Sequence, residues 1–243
     1  MTVTDVNVVK SAIFERPDDA NKGTLGSLLC VCGSYGMAGA AVMSAKGALR
    51  TGIGLAKCAL PRSIYPIVAQ TILESVYYPL SENADGRISK VNVPFLVSES
   101  CKSSATLVGC GLGVCDDTLK IVFSFIENST TPLVLDADAL NCVAKQPEIL
   151  LRKKAPIIIT PHPGEMSRLT GLATPLVNAE RERVALDFAQ KYGVVTVLKG
   201  AGTVIASPNG KVLVNPTGNS GMATGGSGDV LAGMTASILA QGA

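Results

Sequence analysis

Asn215-Pro216-Thr217-Gly218-Asn219-Ser220-Gly221-Met222-Ala223-Thr224-Gly225-Gly226-Ser227-Gly228-Asp229 is the stretch on which the reading of this chain turns. Five glycines lead to one acid, Asp229, and an apolar run, Val230-Leu231-Ala232-Gly233-Met234, begins at once. A glycine-rich turn that opens a helix presents free backbone N–H groups at the positive end of the helix dipole. That is a site for a phosphate or another anion. A carboxylate there is out of place as an anion binder and well placed as a base. The stretch therefore reads as a phosphoryl-transfer centre, with donors to hold the moving group and one acid to take a proton from the attacking hydroxyl. The plain alternative is a flexible loop whose Asp229 caps a helix.

Composition frames the fold. The chain has 243 residues, 47% of them apolar and 16% charged, with no tryptophan. A core must then be built from Val, Ile, Leu and Ala, as in a buried parallel sheet with helices on both faces. A net charge of +2 argues against a nucleic-acid surface. The longest basic block, Arg152-Lys153-Lys154, reads as the solvated end of a helix. Seven cysteines sit inside apolar segments without Cys-x-x-Cys or Cys/His metal spacing. Cys30 and Cys32 flank Val31 on an expected strand and are assigned to opposite faces, unable to pair. Buried thiols in a reducing cytoplasm follow. The N-terminus lacks an apolar signal core, and no uncharged apolar run approaches the ~18 residues of a membrane span. A soluble cytoplasmic protein is expected.

Along the chain, strands alternate with helices. A polar lead-in, 1–26, precedes strand 27–32, the turn Gly33-Ser34-Tyr35-Gly36-Met37-Ala38-Gly39-Ala40-Ala41 and a helix to about Arg50. Strand 54–60 and a helix from Ser63 follow, then a mixed segment, 71–93, with a turn at 83–86. Strand 105–108 runs into Gly109-Cys110-Gly111-Leu112-Gly113, helix 116–128 and strand 133–135, which ends in Asp136-Ala137-Asp138. A dinucleotide fingerprint is a poor match there. The full Gly-x-Gly-x-x-Gly pattern is missing, and Asp116 and Asp117 would repel a pyrophosphate. Close approach of backbone to a ligand is the competing reading of those glycines. Strand 156–160 enters Pro161-His162-Pro163-Gly164-Glu165, with helices near 165–169 and 178–192. Strand 194–198 ends in Lys199-Gly200-Ala201-Gly202-Thr203, and 204–206 with 211–214 forms a hairpin around Pro208-Asn209-Gly210. The expected architecture is one doubly wound, mostly parallel α/β domain. In such sheets ligands bind at the carboxyl ends of the strands, and every unusual loop here follows a strand.

Each candidate has a bland reading beside the sharp one. His162, the sole histidine, is structural or is held between two prolines to meet a ligand. Glu165 favours a helix N-terminus or holds Mg²⁺ through water. Lys199 pairs with a surface acid, or it and the glycines after it wrap a ligand. Asp136 and Asp138 read as turn and cap residues.

Taken together, Gly-Ser-Tyr-Gly-Met-Ala-Gly-Ala-Ala (33–41), Gly-Cys-Gly-Leu-Gly (109–113), Leu-Asp-Ala-Asp-Ala-Leu-Asn (135–141), Thr-Pro-His-Pro-Gly-Glu-Met (160–166), Leu-Lys-Gly (198–200) and the 215–229 stretch resemble the NAD(P)H-hydrate dehydratases, which have a ribokinase-like fold. The resemblance spans residues from about 22 to 243. Ser227 stands where threonine is commoner. The chain ends about one helix after the motif, where the family usually continues with further helices, and its lead-in leaves no room for the epimerase domain of larger members. The resemblance implies ADP- or ATP-dependent repair of hydrated NADH or NADPH, with ADP the first choice and Mg²⁺ as cofactor, in a homotetramer. It implies Asp229 as base and the N–H groups of Gly226, Ser227 and Gly228 as anion hole. Lys199, Gly200, Ala201, Gly202, Thr203 and Gly228 would hold the adenine nucleotide. Gly39, Ala40, Gly111, His162 and Asp229 would contact the hydrated dinucleotide. The alternatives are a hydroxymethylpyrimidine or hydroxyethylthiazole kinase, in which Asn usually stands at the position of His162, and a nucleotide-binding regulatory protein without turnover.

Overall fold

The computed structural model describes residues 2–3, 13 and 16–243; much of the lead-in lies outside the described residues. One sheet of ten strands runs through it in the order β1-β10-β9-β8-β7-β6-β5-β2-β3-β4. The strands are β1 (Thr2–Val3), β2 (Ser27–Val31), β3 (Leu55–Pro61), β4 (Val76–Leu80), β5 (Ala105–Val108), β6 (Leu133–Leu135), β7 (Ile157–Ile159), β8 (Val195–Leu198), β9 (Thr203–Ala206) and β10 (Val212–Asn215). All neighbours are parallel except β9, which runs antiparallel to β8 and β10. β10 thus points the same way as β8 and delivers the 215–229 loop to the edge where the parallel strands end. The chain moves outward from β2 in one direction through β3 and β4. It then returns beside β2 at β5 and moves the other way through β6, β7 and β8. A ligand crevice belongs at that reversal, between β2 and β5.

Both faces of the sheet are covered. One packs against α1 (Ala38–Thr51), α2 (Tyr65–Thr71) and α9 (Ser227–Ala240). The other packs against α3 (Val93–Cys101), α4 (Asp116–Asn128), α5 (Asp138–Val143), α6 (Pro163–Thr170), α7 (Thr174–Ala179) and α8 (Arg181–Tyr192). Strand side chains alternate between the two cores. Leu29 and Val31 face the second, while Leu28 and Cys30 face the first. Cys32 lies with Cys30, which corrects the expectation of opposite faces: residues two apart on a strand share a face. The cysteines are free all the same. Burial pushes the Cys58 thiol up to about 12 and the Cys142 thiol up to about 11, so both stay protonated and inert.

Three other segments differ from expectation. The mixed segment contains β4, an edge strand that tolerates Pro79. Val93–Cys101 forms a helix opened by Pro94 in its first turn. The helix expected over 178–192 is two helices, broken at Glu180 (φ −126°). Among the described residues no helix is long and apolar enough to cross a membrane.

The contact between α1 and α9 positions the site. A side-chain carbon at Gly233 would collide with the Ser44 carbonyl, and one at Gly47 would stand 2.7 Å from the Val230 carbonyl. The two backbones therefore touch, and the Ser237 hydroxyl donates to the Ala48 carbonyl at 3.0 Å. Gly233→Ala is expected to destabilise the protein by about 1–3 kcal/mol, as overpacking does. Its melting temperature should fall by about 2–4 °C per kcal/mol. Gly225→Ala is the control, because an added carbon there meets nothing within 4 Å. Equal melting temperatures for Gly233→Ala and wild type would remove close helix contact as the constraint.

Candidate active site

The glycine-rich loop ends as expected, in a helix. Gly226 caps α9 with φ +92°, a conformation that favours glycine, and the Met43 sulfur occupies the space of a side chain there. The Val230 N–H donates to the Gly226 carbonyl at 3.0 Å, closing the first turn. The N–H groups of Gly228 and Asp229 lie within that turn, where no intrahelical acceptor exists. Ser227 is less free. Its N–H reaches the Thr224 carbonyl at 3.4 Å, and its hydroxyl donates to the same carbonyl at 3.0 Å.

Beside this turn lies a cluster of charges drawn from the ends of β6, β7 and β8. The Lys199 ammonium donates to Asp136 Oδ1 at 2.7 Å and stands 3.8 Å from Glu165 Oε2. Thr160 donates to the same Asp136 oxygen at 2.7 Å. Asp136 and Glu165 are buried. Lys199 therefore pairs with buried acids, not with a surface one, and Asp136 also opens a turn, its carbonyl accepting from the Ala139 N–H at 3.1 Å. A carbon added to Gly228 would stand 3.6 Å from the Lys199 ammonium, so the cation adjoins the first turn of α9. The Cys110 thiol lies 3.6 Å from Asp136 Oδ2, and Cys110, Asp136 and Asp229 bring their polar atoms within 4.8 Å of one another. Burial raises the Asp229 carboxyl above its ordinary value. A hydrogen bond from Cys110 opposes the rise, Asp136 adds to it, and Lys199 opposes it. Glu165 is raised as well, mainly by burial and against the pull of Lys199. Lys199 thus faces two carboxylates, Asp136 and Glu165, with Asp229 close by.

His162 has a structural role. Its Nδ1 caps α6, accepting from the N–H groups of Gly164 (3.0 Å) and Glu165 (3.3 Å). Those donors leave the proton on Nε2, at 3.5 Å from Glu165 Oε1, on a side chain that is half exposed. Glu165 returns the cap by accepting from the His162 N–H at 2.7 Å. The Lys199 N–H donates to the Pro161 carbonyl at 2.8 Å, which ties this loop to the end of β8.

Across the crevice, Gly111 lies against Ala40: an added carbon would stand 2.7 Å from the Ala40 side chain. Gly33 donates to the Cys110 carbonyl at 2.8 Å, and Ser34 to the Gly111 carbonyl at 2.8 Å. Gly39 faces open space. The glycines of 109–113 thus face protein atoms: Asp136 at Gly109, Ala40 and Met37 at Gly111, and Arg87 at Gly113. The same holds for Gly200, which adjoins Arg181, while Gly202 is 3.6 Å from Val214. Close packing within the protein explains these glycines, in place of a backbone shaped around a ligand alone. Asp138 accepts from the Gly113 N–H at 2.8 Å, and Ala137 between the two acids has φ +49°. A non-glycine residue held there is strained, as functional turns often are. Reasoning from the sequence missed Cys110, Thr160 and Arg181 as members of this region. The one available signal was that Cys110 and Thr160 lie at or just past the carboxyl ends of strands.

The raised Asp229 carboxyl has a consequence for stability. A carboxyl whose pKa is higher in the folded state is disfavoured there as a carboxylate. The cost is absent below its unfolded pKa and fully present above its folded one. Asp229→Asn should therefore melt higher than wild type at neutral pH, by about 2–4 °C per kcal/mol relieved. The difference should close as the pH falls to the ordinary carboxylate range. A variant that melts lower at neutral pH would contradict this account of the site.

Comparison with known proteins follows the same lines. The family model described as NAD(P)H-hydrate dehydratase matches residues 28–243. The bifunctional NAD(P)H-hydrate repair enzyme of Moorella thermoacetica is 38% identical over 96% of this chain and 44% of its own length. The chain spans about half the length of such curated relatives. The ADP-dependent (S)-NAD(P)H-hydrate dehydratase of Neisseria meningitidis is 36% identical over 93% of this chain and 73% of its own length. The ADP/ATP-dependent NAD(P)H-hydrate dehydratase of Bacillus subtilis, co-crystallised with ATP and Mg²⁺, superposes with a TM-score of 0.83 at 31% identity, covering 98% of this chain and 81% of the other. On this evidence the chain belongs to the NAD(P)H-hydrate dehydratase family and has the α/β architecture of ribokinase-like proteins.

Proposed function

We propose that this protein dehydrates hydrated NADH or NADPH at the expense of a nucleotide, most simply ADP to AMP, with residues 1–243 as one ribokinase-like domain. The observation that carries the reading is Asp229 in the first turn of α9, where burial, reinforced by the neighbouring charge of Asp136 and opposed by Lys199, raises its basicity. The hydrated nicotinamide ring carries a hydroxyl, and hydroxide is a poor leaving group near neutral pH. Asp229 takes the proton of that hydroxyl as its oxygen attacks the terminal phosphoryl group of the nucleotide. The N–H groups of Gly226, Ser227 and Gly228 receive the moving phosphoryl group, and Ser227 gives up its long bond to Thr224 to do so. AMP leaves. The ring nitrogen then expels phosphate, and loss of a proton restores the dihydropyridine.

Lys199, Gly200, Ala201, Gly202, Thr203 and Gly228 form the nucleotide seat. Gly39, Ala40, Gly111, His162 and Asp229 form the dinucleotide seat. Bound Mg²⁺ supplies positive charge to the phosphates. Its preference for oxygen donors and retained water suits the carboxylates of Asp136, Glu165 and Asp229 gathered here, and Glu165 would hold it through water. Buried free thiols suit a reducing cytoplasm, and the family resemblance suggests a homotetramer.

Incubation with hydrated NADPH, ADP and Mg²⁺ should restore the absorbance of the reduced nicotinamide. Asp229→Asn should lower kcat by about 10²–10⁴-fold, as loss of a general base does, while ADP still binds. Recovery of absorbance without any nucleotide would reject this reading, as would a near-normal Asp229→Asn.

A further inference from the structure

Arg181, the first residue of α8, stands out among the cations. Its neighbour Arg183 pairs with Glu180 and with Asp187 at 3.5 Å. Arg181 has no acidic partner among the described residues. One terminal nitrogen donates to the Leu198 carbonyl at 2.8 Å, and Nε is buried without an acceptor. The guanidinium lies against Gly200. A carbon added there would stand 2.7 Å from one terminal nitrogen, 2.9 Å from the other and 3.0 Å from the central carbon. Gly200 has φ +152°, where other residues are strained. One guanidinium thus braces the backbone on both sides of Lys199.

We propose that Arg181 is a positioning residue that holds Leu198 and Gly200 so that the 199–203 loop keeps the shape that accepts an adenine nucleotide. An unmatched, partly desolvated cation with an idle buried donor is costly to keep. Its retention makes sense beneath a loop whose ligand carries phosphate, because the bound anion lowers the cost of that charge. Lysine cannot replace it: a point charge cannot donate to Leu198 and also lie flat against Gly200. This inference rests on the reading of 199–203 as the nucleotide seat.

The test is calorimetric titration of ADP with Mg²⁺ into wild type, Arg181→Lys, Arg181→Ala, Gly200→Ala and the Arg181→Lys/Gly200→Ala double variant. Melting curves identify which variants are folded. Arg181→Lys should weaken ADP binding by about 10-fold or more, the scale of a lost hydrogen bond to a charged group. In turnover it should raise KM for ADP and leave kcat and KM for hydrated NADPH within about 3-fold. Gly200→Ala should act in the same direction. The double variant should fall well short of the product of the two effects, because both act through one contact. A folded Arg181→Lys that binds ADP as wild type does overturns the inference, and so does a fully multiplicative double variant. If Arg181→Ala does not fold, Arg181→Lys and Gly200→Ala carry the test alone. Absence of ADP binding to wild type would instead sink the nucleotide reading itself.

Discussion

The ammonium of Lys199 between Asp136 and Glu165 is the interaction on which the candidate site depends. Two carboxylates buried at neighbouring strand ends would be untenable without it, since an unpaired buried charge costs several kcal/mol. With it, the ends of β6, β7 and β8 are drawn to one point. Asp229 lies beside this pairing, and burial, reinforced by the charge of Asp136 and opposed by Cys110 and Lys199, raises its carboxyl above the ordinary value. A carboxyl with raised basicity at the mouth of an anion-binding turn is what a hydroxyl-activating base requires.

A steric constraint supplies the rest of the geometry. Helix α9 can bring its first turn over the sheet reversal only because Gly47 and Gly233 let it touch α1. Gly226 then turns the chain into the helix over the Met43 sulfur. The site carries its costs openly: a desolvated Asp229, a strained Ala137 and an unmatched Arg181. Each would be relieved by a conservative substitution, and each sits at the carboxyl edge of the sheet. Such a pattern belongs to regions where function sets the requirement and stability yields.

Much of this was legible in the sequence, for physical reasons. β5, α4 and β6 begin and end where their apolar periods and flanking glycines place them. The strand-end position of the unusual loops foretold a shared edge. β4 and α3 escaped notice because prolines at 79 and 94 mask a strand and a helix that tolerate them at an edge and in a first turn. The break at Glu180 leaves the helical period on either side intact. The partner of Lys199 could not be read at all, since Asp136 lies 63 residues away and the two meet only through the sheet order. The glycines of 109–113 and Gly200 were legible as close approaches, but their neighbours, Asp136, Ala40, Arg87 and Arg181, were not. The capping role of His162 was legible only as a generic structural one, since its partners are the N–H groups of Gly164 and Glu165 and the Glu165 carboxylate.

The central claim is that the ring hydroxyl is phosphorylated before it leaves. Its most direct test follows the oxygen atom. Hydrated NADPH labelled with ¹⁸O at the ring hydroxyl, turned over with unlabelled ADP and Mg²⁺, should deliver the label into inorganic phosphate, one atom for each NADPH and AMP formed. Label recovered in water, with unlabelled phosphate, would mean that hydroxide or water leaves directly, and would contradict the account.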